Sequence, residues 1–192
     1  MSEKNDLRKE LLLKRRKLHS KYLDESVANI LIKTDIFKNA KTILLYASLD
    51  DEISTDFLIE CALNCEKRVA LPVCIDKNGN MDFYYINSFD DLVTGHFSVR
   101  EPDINKCGIV NDYSNSICIV PAISYDERGY RLGYGKGYYD RFLQKYTSIS
   151  VGLCYNELVK KELPINSFDI PVDYIVTQSR IISVGFEEDN NG

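Results

Sequence analysis

In the stretch "RGYRLGYGKGYYDRF" (128–142), four of the chain's ten glycines fall between Gly129 and Gly137, interleaved with Arg131, Lys136, tyrosines and Asp140. Glycine is costly to order, so such a cluster marks a backbone that turns sharply or lets another group come close. Gly133, Gly135 and Gly137 alternate with Tyr134 and Lys136, so the main chain can wrap around an anion while Arg131 and Lys136 add positive charge beside it. A helix opening at "YYDRFLQKY" (138–146) would contribute unpaired N–H groups and the positive end of its dipole, a setting suited to phosphate. The spacing is not that of a Walker A loop, which needs Ser or Thr straight after its Lys, whereas Gly137 follows Lys136. It is not a complete Rossmann fingerprint either, and it also fits a tight strand-to-helix turn with two solvated cations. Asp140 narrows the reading. A carboxylate facing bound phosphates repels them unless a cation lies between, and Mg2+ is commonly held by one or two carboxylates plus phosphate oxygens. Loop and Asp140 together predict a Mg–nucleotide site.

The elements around the loop place it. "SICIVPAISY" (116–125) reads as a buried strand, which puts the glycines at the carboxyl edge of a sheet, where α/β proteins bind ligands. Further strands are expected at 41–49, 68–74, 81–86, 148–155, 173–177 and 180–185. Helices are expected at 4–22, 26–33 and 54–67, the last capped by Ser54 or Thr55; residues 87–115 read as loop-rich. This alternation predicts a single α/β domain over residues 1–186, with a mixed, mostly parallel sheet flanked by helices, and a polar tail at 187–192. At about 100° per residue, Lys4, Arg8 and Arg15 fall in an arc that overlaps the stripe of Leu7, Leu11 and Leu18. Cations on the inward side of a helix either find a partner or snorkel to its edge. One possible partner for Lys4 and Arg8 is an anion held by the glycine loop.

Bulk properties restrict the function classes. With 192 residues, 44% of them hydrophobic, the chain can build one full core. A net charge of -5 argues against nucleic-acid binding, whose usual footprint is basic. No apolar run is long enough to span a bilayer, and the charged opening "MSEKNDLRKELLLKRRKL" lacks a signal peptide's apolar core, so a cytoplasmic monomer is expected. The six cysteines contain no CxxC pair and are expected to be free, buried thiols. His19 and His96 are the only histidines, which leaves little to build a Ser-His-Asp or His-metal site.

The stretch "PAISYDERGYRLGYGKGYYD" (121–140) resembles the signature of the 5-formyltetrahydrofolate cyclo-ligase (methenyltetrahydrofolate synthetase) family, Asp-x-x-Gly-x-Arg-Leu-Gly-x-Gly-x-Gly-Tyr-Tyr-Asp after a proline, with every fixed position filled. "KNDLR" (4–8), "DEIST" (51–55) and "DIPVDYIVTQSRII" (169–182) resemble other family stretches, in the family's order. The resemblance implies a fold like that of sugar-phosphate isomerases and CoA transferases. It also implies ATP- and Mg2+-dependent conversion of 5-formyltetrahydrofolate to 5,10-methenyltetrahydrofolate, with release of ADP and phosphate. Carried over, it assigns Lys4, Arg8 and the loop Arg131, Leu132, Gly133, Tyr134, Gly135, Lys136, Gly137, Tyr138 and Tyr139 to ATP, with Lys136 and Arg131 catalytic. Asp140 and Asp173 would hold Mg2+. Folate would meet Tyr46, Ala47, Glu52, Phe97 and the loop from Tyr134 to Tyr138, including Gly135, Lys136 and Gly137. Phe97 stands where some members carry tryptophan, and Glu101 and Pro102 match a family pair without a derivable role. Two other readings compete: a non-catalytic nucleotide- or folate-binding module, and an α/β enzyme acting on a phosphorylated sugar or thioester.

Overall fold

The computed structural model describes residues 3–76, 78–95 and 99–185. The break between the first two helices falls earlier than expected. Helix α1 (Glu3–Leu18) ends before Ser20, whose side chain accepts from Leu23 N and starts α2 (Lys21–Lys33). Serine favours this role because its hydroxyl satisfies an orphan N–H at a helix start. Thr34 then ends α2 and caps α3 (Asp35–Asn39), accepting from Phe37 N. Helix α4 (Asp56–Asn64) follows Thr55, whose hydroxyl donates to Tyr46 O rather than capping the helix. Helix α5 (Tyr138–Leu143) is shorter than the expected 138–146.

The strands are β1 (Thr42–Leu44), β2 (Arg68–Cys74), β3 (Met81–Ile86), β4 (Leu92–Thr94), β5 (Arg100–Pro102), β6 (Ser116–Val120), β7 (Ser124–Tyr125), β8 (Arg131–Leu132), β9 (Ile149–Leu153), β10 (Tyr174–Val176) and β11 (Ile181–Ser183). Seven form one sheet in the order β11-β10-β9-β6-β1-β2-β3. The five inner strands run parallel, and β3 and β11 close the edges antiparallel. The mixed, mostly parallel sheet expected from the sequence is thus present. Parallel strands are covered on both faces and read as unbroken apolar runs; Ile43, Leu44, Ile117 and Ile119 are fully buried. Helix α4 packs on β2 and α2 on β10, while Phe142 of α5 meets Phe83 of β3 at 4.9 Å between ring centres.

Residues 87–115 hold more structure than expected, because β4 and β5 pair as a small antiparallel ribbon. Strands of three residues are too short for their alternation to stand out. The expected strand at 116–125 breaks after Val120, and Ser124–Tyr125 pairs instead with β8, folding the glycine loop back over the sheet's edge. All six cysteines are free, but only Cys118 and Cys154 are buried, and Cys65 is exposed. Among the described residues, no helix is long and apolar enough to cross a membrane. Phe97 and the 187–192 tail lie outside the described residues.

Candidate active site

The carboxyl ends of β1, β2 and β6 open onto a cavity of about 850 Å3. Its walls include Lys4 and Arg8 from α1, Tyr46, Ala47 and Glu52 beyond β1, and every residue from Arg131 to Asp140. One sheet edge therefore collects residues that are far apart in the chain, the position at which open α/β sheets bind ligands.

The loop is shaped by glycine. Gly135 and Gly137 have φ of 86° and 73°, the left-handed region that side chains disfavour. A Cβ on Gly137 would also stand 2.8 Å from Arg141 Nη1. From below, Arg8 Nε donates to Gly133 O at 2.8 Å, tying the loop to α1. Lys136 is exposed at the cavity, with no carboxylate partner among the described residues. Because α5 has six residues, its dipole is small, and Arg131 and Lys136 supply the charge beside the loop.

Two carboxylates stand beside the loop. Asp140 Oδ1 accepts from Arg131 Nη2 at 2.6 Å and from Ile170 N at 3.2 Å, while Arg131 Nη1 donates to Ile170 O. The cation that Asp140 required is thus supplied in part by Arg131, whose guanidinium is largely spent on the protein. Asp169 Oδ2 accepts from Lys4 Nζ and from Asn166 N, both at 2.7 Å. The resemblance assigns the second aspartate of "DIPVD" to the metal, whereas the one that lines the cavity is the first, Asp169. The structure does not bring Asp173 to the cavity. It precedes β10 at the amino edge of the sheet, where its Oδ2 accepts from Ser150 N and Oγ at 2.7 Å each. A strand's first residue lies a full strand length from the carboxyl edge, so the aspartates the structure gathers are Asp140 and Asp169.

The other half of the cavity is acidic and enclosed. Glu52 is 6% exposed and its Oε2 accepts from Leu49 N at 2.9 Å. Burial pushes its pKa above the usual carboxylate value, opposed by the Leu49 N–H and by Arg15. Tyr46 is fixed by its hydroxyl donating to Ile53 O at 3.0 Å. Behind both lies Arg15, 2% exposed, which donates to Asp51 Oδ1, Tyr134 Oη and Ala122 O. The sequence placed Arg15 on the inward arc of α1 but gave no sign of these partners.

A raised carboxylate pKa makes the folded protein hold a proton that the unfolded chain has released, so stability falls as pH rises through that window. Glu52→Gln removes this cost while its amide oxygen can still accept from Leu49 N. The variant is expected to be more stable than wild type at pH 7 to 8, with the gain vanishing below the carboxyl's unfolded pKa. Urea unfolding at the two pH values checks this; an equal gain at both would mean that charge burial is not its source.

A glycine-rich loop with a lysine unpaired among the described residues shares one cavity with a buried carboxylate at the carboxyl edge of an α/β sheet, the place at which α/β enzymes bind ligands. The family pattern of 5-formyltetrahydrofolate cyclo-ligases matches residues 1–178, and the chain belongs to that family. It is 33% identical over 146 residues to the 5-formyltetrahydrofolate cyclo-ligase of Escherichia coli strain K12, covering 74% of this chain and 80% of that one. To the probable 5-formyltetrahydrofolate cyclo-ligase of Schizosaccharomyces pombe it is 29% identical over 198 residues, covering 94% and 97%. The NMR structure of Aquifex aeolicus 5,10-methenyltetrahydrofolate synthetase superposes with a TM-score of 0.85 at 33% identity, over 98% of this chain and 96% of that one.

Proposed function

We propose that the chain converts 5-formyltetrahydrofolate to 5,10-methenyltetrahydrofolate with ATP as co-substrate, releasing ADP and phosphate. The observation that carries this reading is the single cavity, in which the cations and glycines of 131–137 face the same space as Glu52. The nucleotide's phosphates lie along the glycine loop, with Lys4 and Arg8 at one end. The pterin lies toward Tyr46, Ala47 and Glu52. An ionised Glu52 accepts from the pterin's amino and ring N–H groups and so sets the ring's orientation.

The formyl oxygen attacks the γ-phosphorus, and the bond from that phosphorus to the β–γ bridging oxygen breaks to release ADP. The folate's second bridging nitrogen then adds to the activated formyl carbon and gives up its proton to solvent, phosphate leaves and the ring closes. Every nucleophile belongs to a substrate, which suits a cavity with no histidine among its described walls. The protein's part is positioning and charge stabilisation. Lys136, free of a carboxylate partner, reaches the charge that builds on the transferring phosphoryl group; Arg131 holds Asp140 in place.

The donor set suits Mg2+. Asp140 Oδ2 and Asp169 Oδ1 accept no hydrogen bond among the described residues, and hard carboxylate oxygens beside phosphates are what this ion takes. Among the described residues no three His, Cys, Asp or Glu side chains cluster as a metal site, so phosphate oxygens and water would complete the shell. When bound, the ion neutralises phosphate charge.

The test is direct. Purified protein with MgATP and 5-formyltetrahydrofolate is expected to form the ultraviolet-absorbing methenyl product, with one ADP per turnover. Folded protein that forms no product, or that releases ADP equally without the folate, overturns the reading.

A further inference from the structure

A second cavity of about 310 Å3 adjoins the first. Met81, Tyr138 and Arg141 line both, so the two spaces share a wall and a rim. Tyr138 is held there by its hydroxyl donating to Asp76 O at 3.0 Å. The floor is aromatic: Phe142 and Tyr146 stack with ring centres 5.2 Å apart, and Tyr113 meets both edge-on. On one flank stand Arg141 of α5 and Lys145 in the turn that follows it. Asp82 is the carboxylate among the residues that line it, so cations are in excess.

Most cations around the larger cavity are already engaged. Lys4 is paired with Asp169, Arg131 with Asp140, and Arg100 with Asp56 at 2.6 Å. Arg8 donates to Gly133 O and Asn5 Oδ1 and is given to the nucleotide's phosphates. Lys136 is given to the transferring phosphoryl group. Arg141 donates through Nη1 to Lys136 O, leaving Nε and Nη2 without a partner among the described residues, and Lys145 has no partner there.

We infer that this second cavity is the subsite for the glutamate end of the folate, with Arg141 and Lys145 facing its two carboxylates. The inference rests on the proposed function, since that reading supplies the ligand. With the pterin at Glu52 and the formyl oxygen turned toward the γ-phosphate, the aminobenzoyl arm must leave away from the phosphates. Past Met81 and Tyr138 it meets an aromatic floor and two cations that lack carboxylate partners. The glutamyl carboxylates are the folate's only anionic groups, and Arg141 and Lys145 are the cations that line this cavity among the described residues.

The test compares 5-formyltetrahydrofolate with 5-formyltetrahydropteroate, which lacks the glutamate. An ion pair open to water is worth a small factor, so Lys145→Gln is expected to raise the KM for the folate about threefold, with kcat unchanged. Lys145→Glu, which replaces attraction by repulsion, is expected to raise it about tenfold. For both variants the KM for the pteroate and for ATP stays at the wild-type value. An unchanged folate KM, or one that rises equally for folate and pteroate, overturns the subsite. A rise in the KM for ATP instead assigns this flank to the nucleotide and overturns it too. Wild-type protein that turns over neither compound is the separate failure of the proposed function, and the subsite falls with it.

Discussion

Replacing Lys136 by alanine is expected to lower kcat about a thousandfold, about 4 kcal/mol of transition-state stabilisation, while folate binding stays close to wild type. The side chain is exposed at the cavity and holds no carboxylate, so its loss leaves no buried group stranded. The loop's shape is fixed by the left-handed Gly135 and Gly137, by Arg8 beneath Gly133 O, and by Arg141 holding the carbonyl of residue 136. None of these contacts uses the lysine's ammonium group. An effect on turnover is therefore an effect on charge. Because that charge develops only as the phosphoryl group transfers, kcat and kcat/KM should fall together. Lys136→Arg is expected to recover part of the rate, since a forked guanidinium does not reproduce a compact ammonium. Turnover that survives within tenfold in the alanine variant, a difference of about 1.4 kcal/mol, would mean that Lys136 does not stabilise the transferring group.

The parts of this site legible in the sequence are those whose chemistry is local. Gly133, Gly135, Lys136, Gly137 and Asp140 lie within eight positions of one another, and the glycine spacing alone says that a backbone is approached closely. The sheet was legible because its inner strands are covered on both faces and so read as apolar runs. Contacts between distant segments left no local trace. Arg15 reaches Asp51 and Tyr134, which lie 36 and 119 residues away, and nothing near Arg15 indicates either. That Asp169 lines the cavity and Asp173 does not has a related reason. Both belong to one short motif, and which of them faces the cavity depends on where β10 begins. Ser20 is a different case. The helical pattern puts the break between 22 and 26, but a serine in such a run marks a cap, so its place at Ser20 could have been read there.

The Arg15–Asp51 pair should give the largest stability effect, and an asymmetric one. Burial by itself would make the guanidinium easier to deprotonate, but Tyr134, Asp51 and Glu52 more than offset it, so the group's pKa is raised. Its side chain is 2% exposed, whereas Asp51 is 21% exposed and also accepts from Arg16 at 3.0 Å. Removing the carboxylate therefore leaves a buried cation, while removing the cation leaves a carboxylate that water and Arg16 can still reach. Asp51→Ala is expected to destabilise by about 3 kcal/mol, a fall in Tm of roughly 10 °C for a chain of this size. Arg15→Met should cost clearly less, although it frees Tyr134 and leaves Ala122 O without its donor. The double variant should be more stable than Asp51→Ala alone, because the stranded charge is gone. Folate binding supplies a second readout. Arg15 ties α1 to the segment beyond β1, to the end of β6 and to the glycine loop, so both single variants should raise the KM for the folate through Tyr134 and Glu52. If the double variant were no more stable than Asp51→Ala, the cost would lie in packing, and Arg15 would act as a strut between segments instead of a compensated charge.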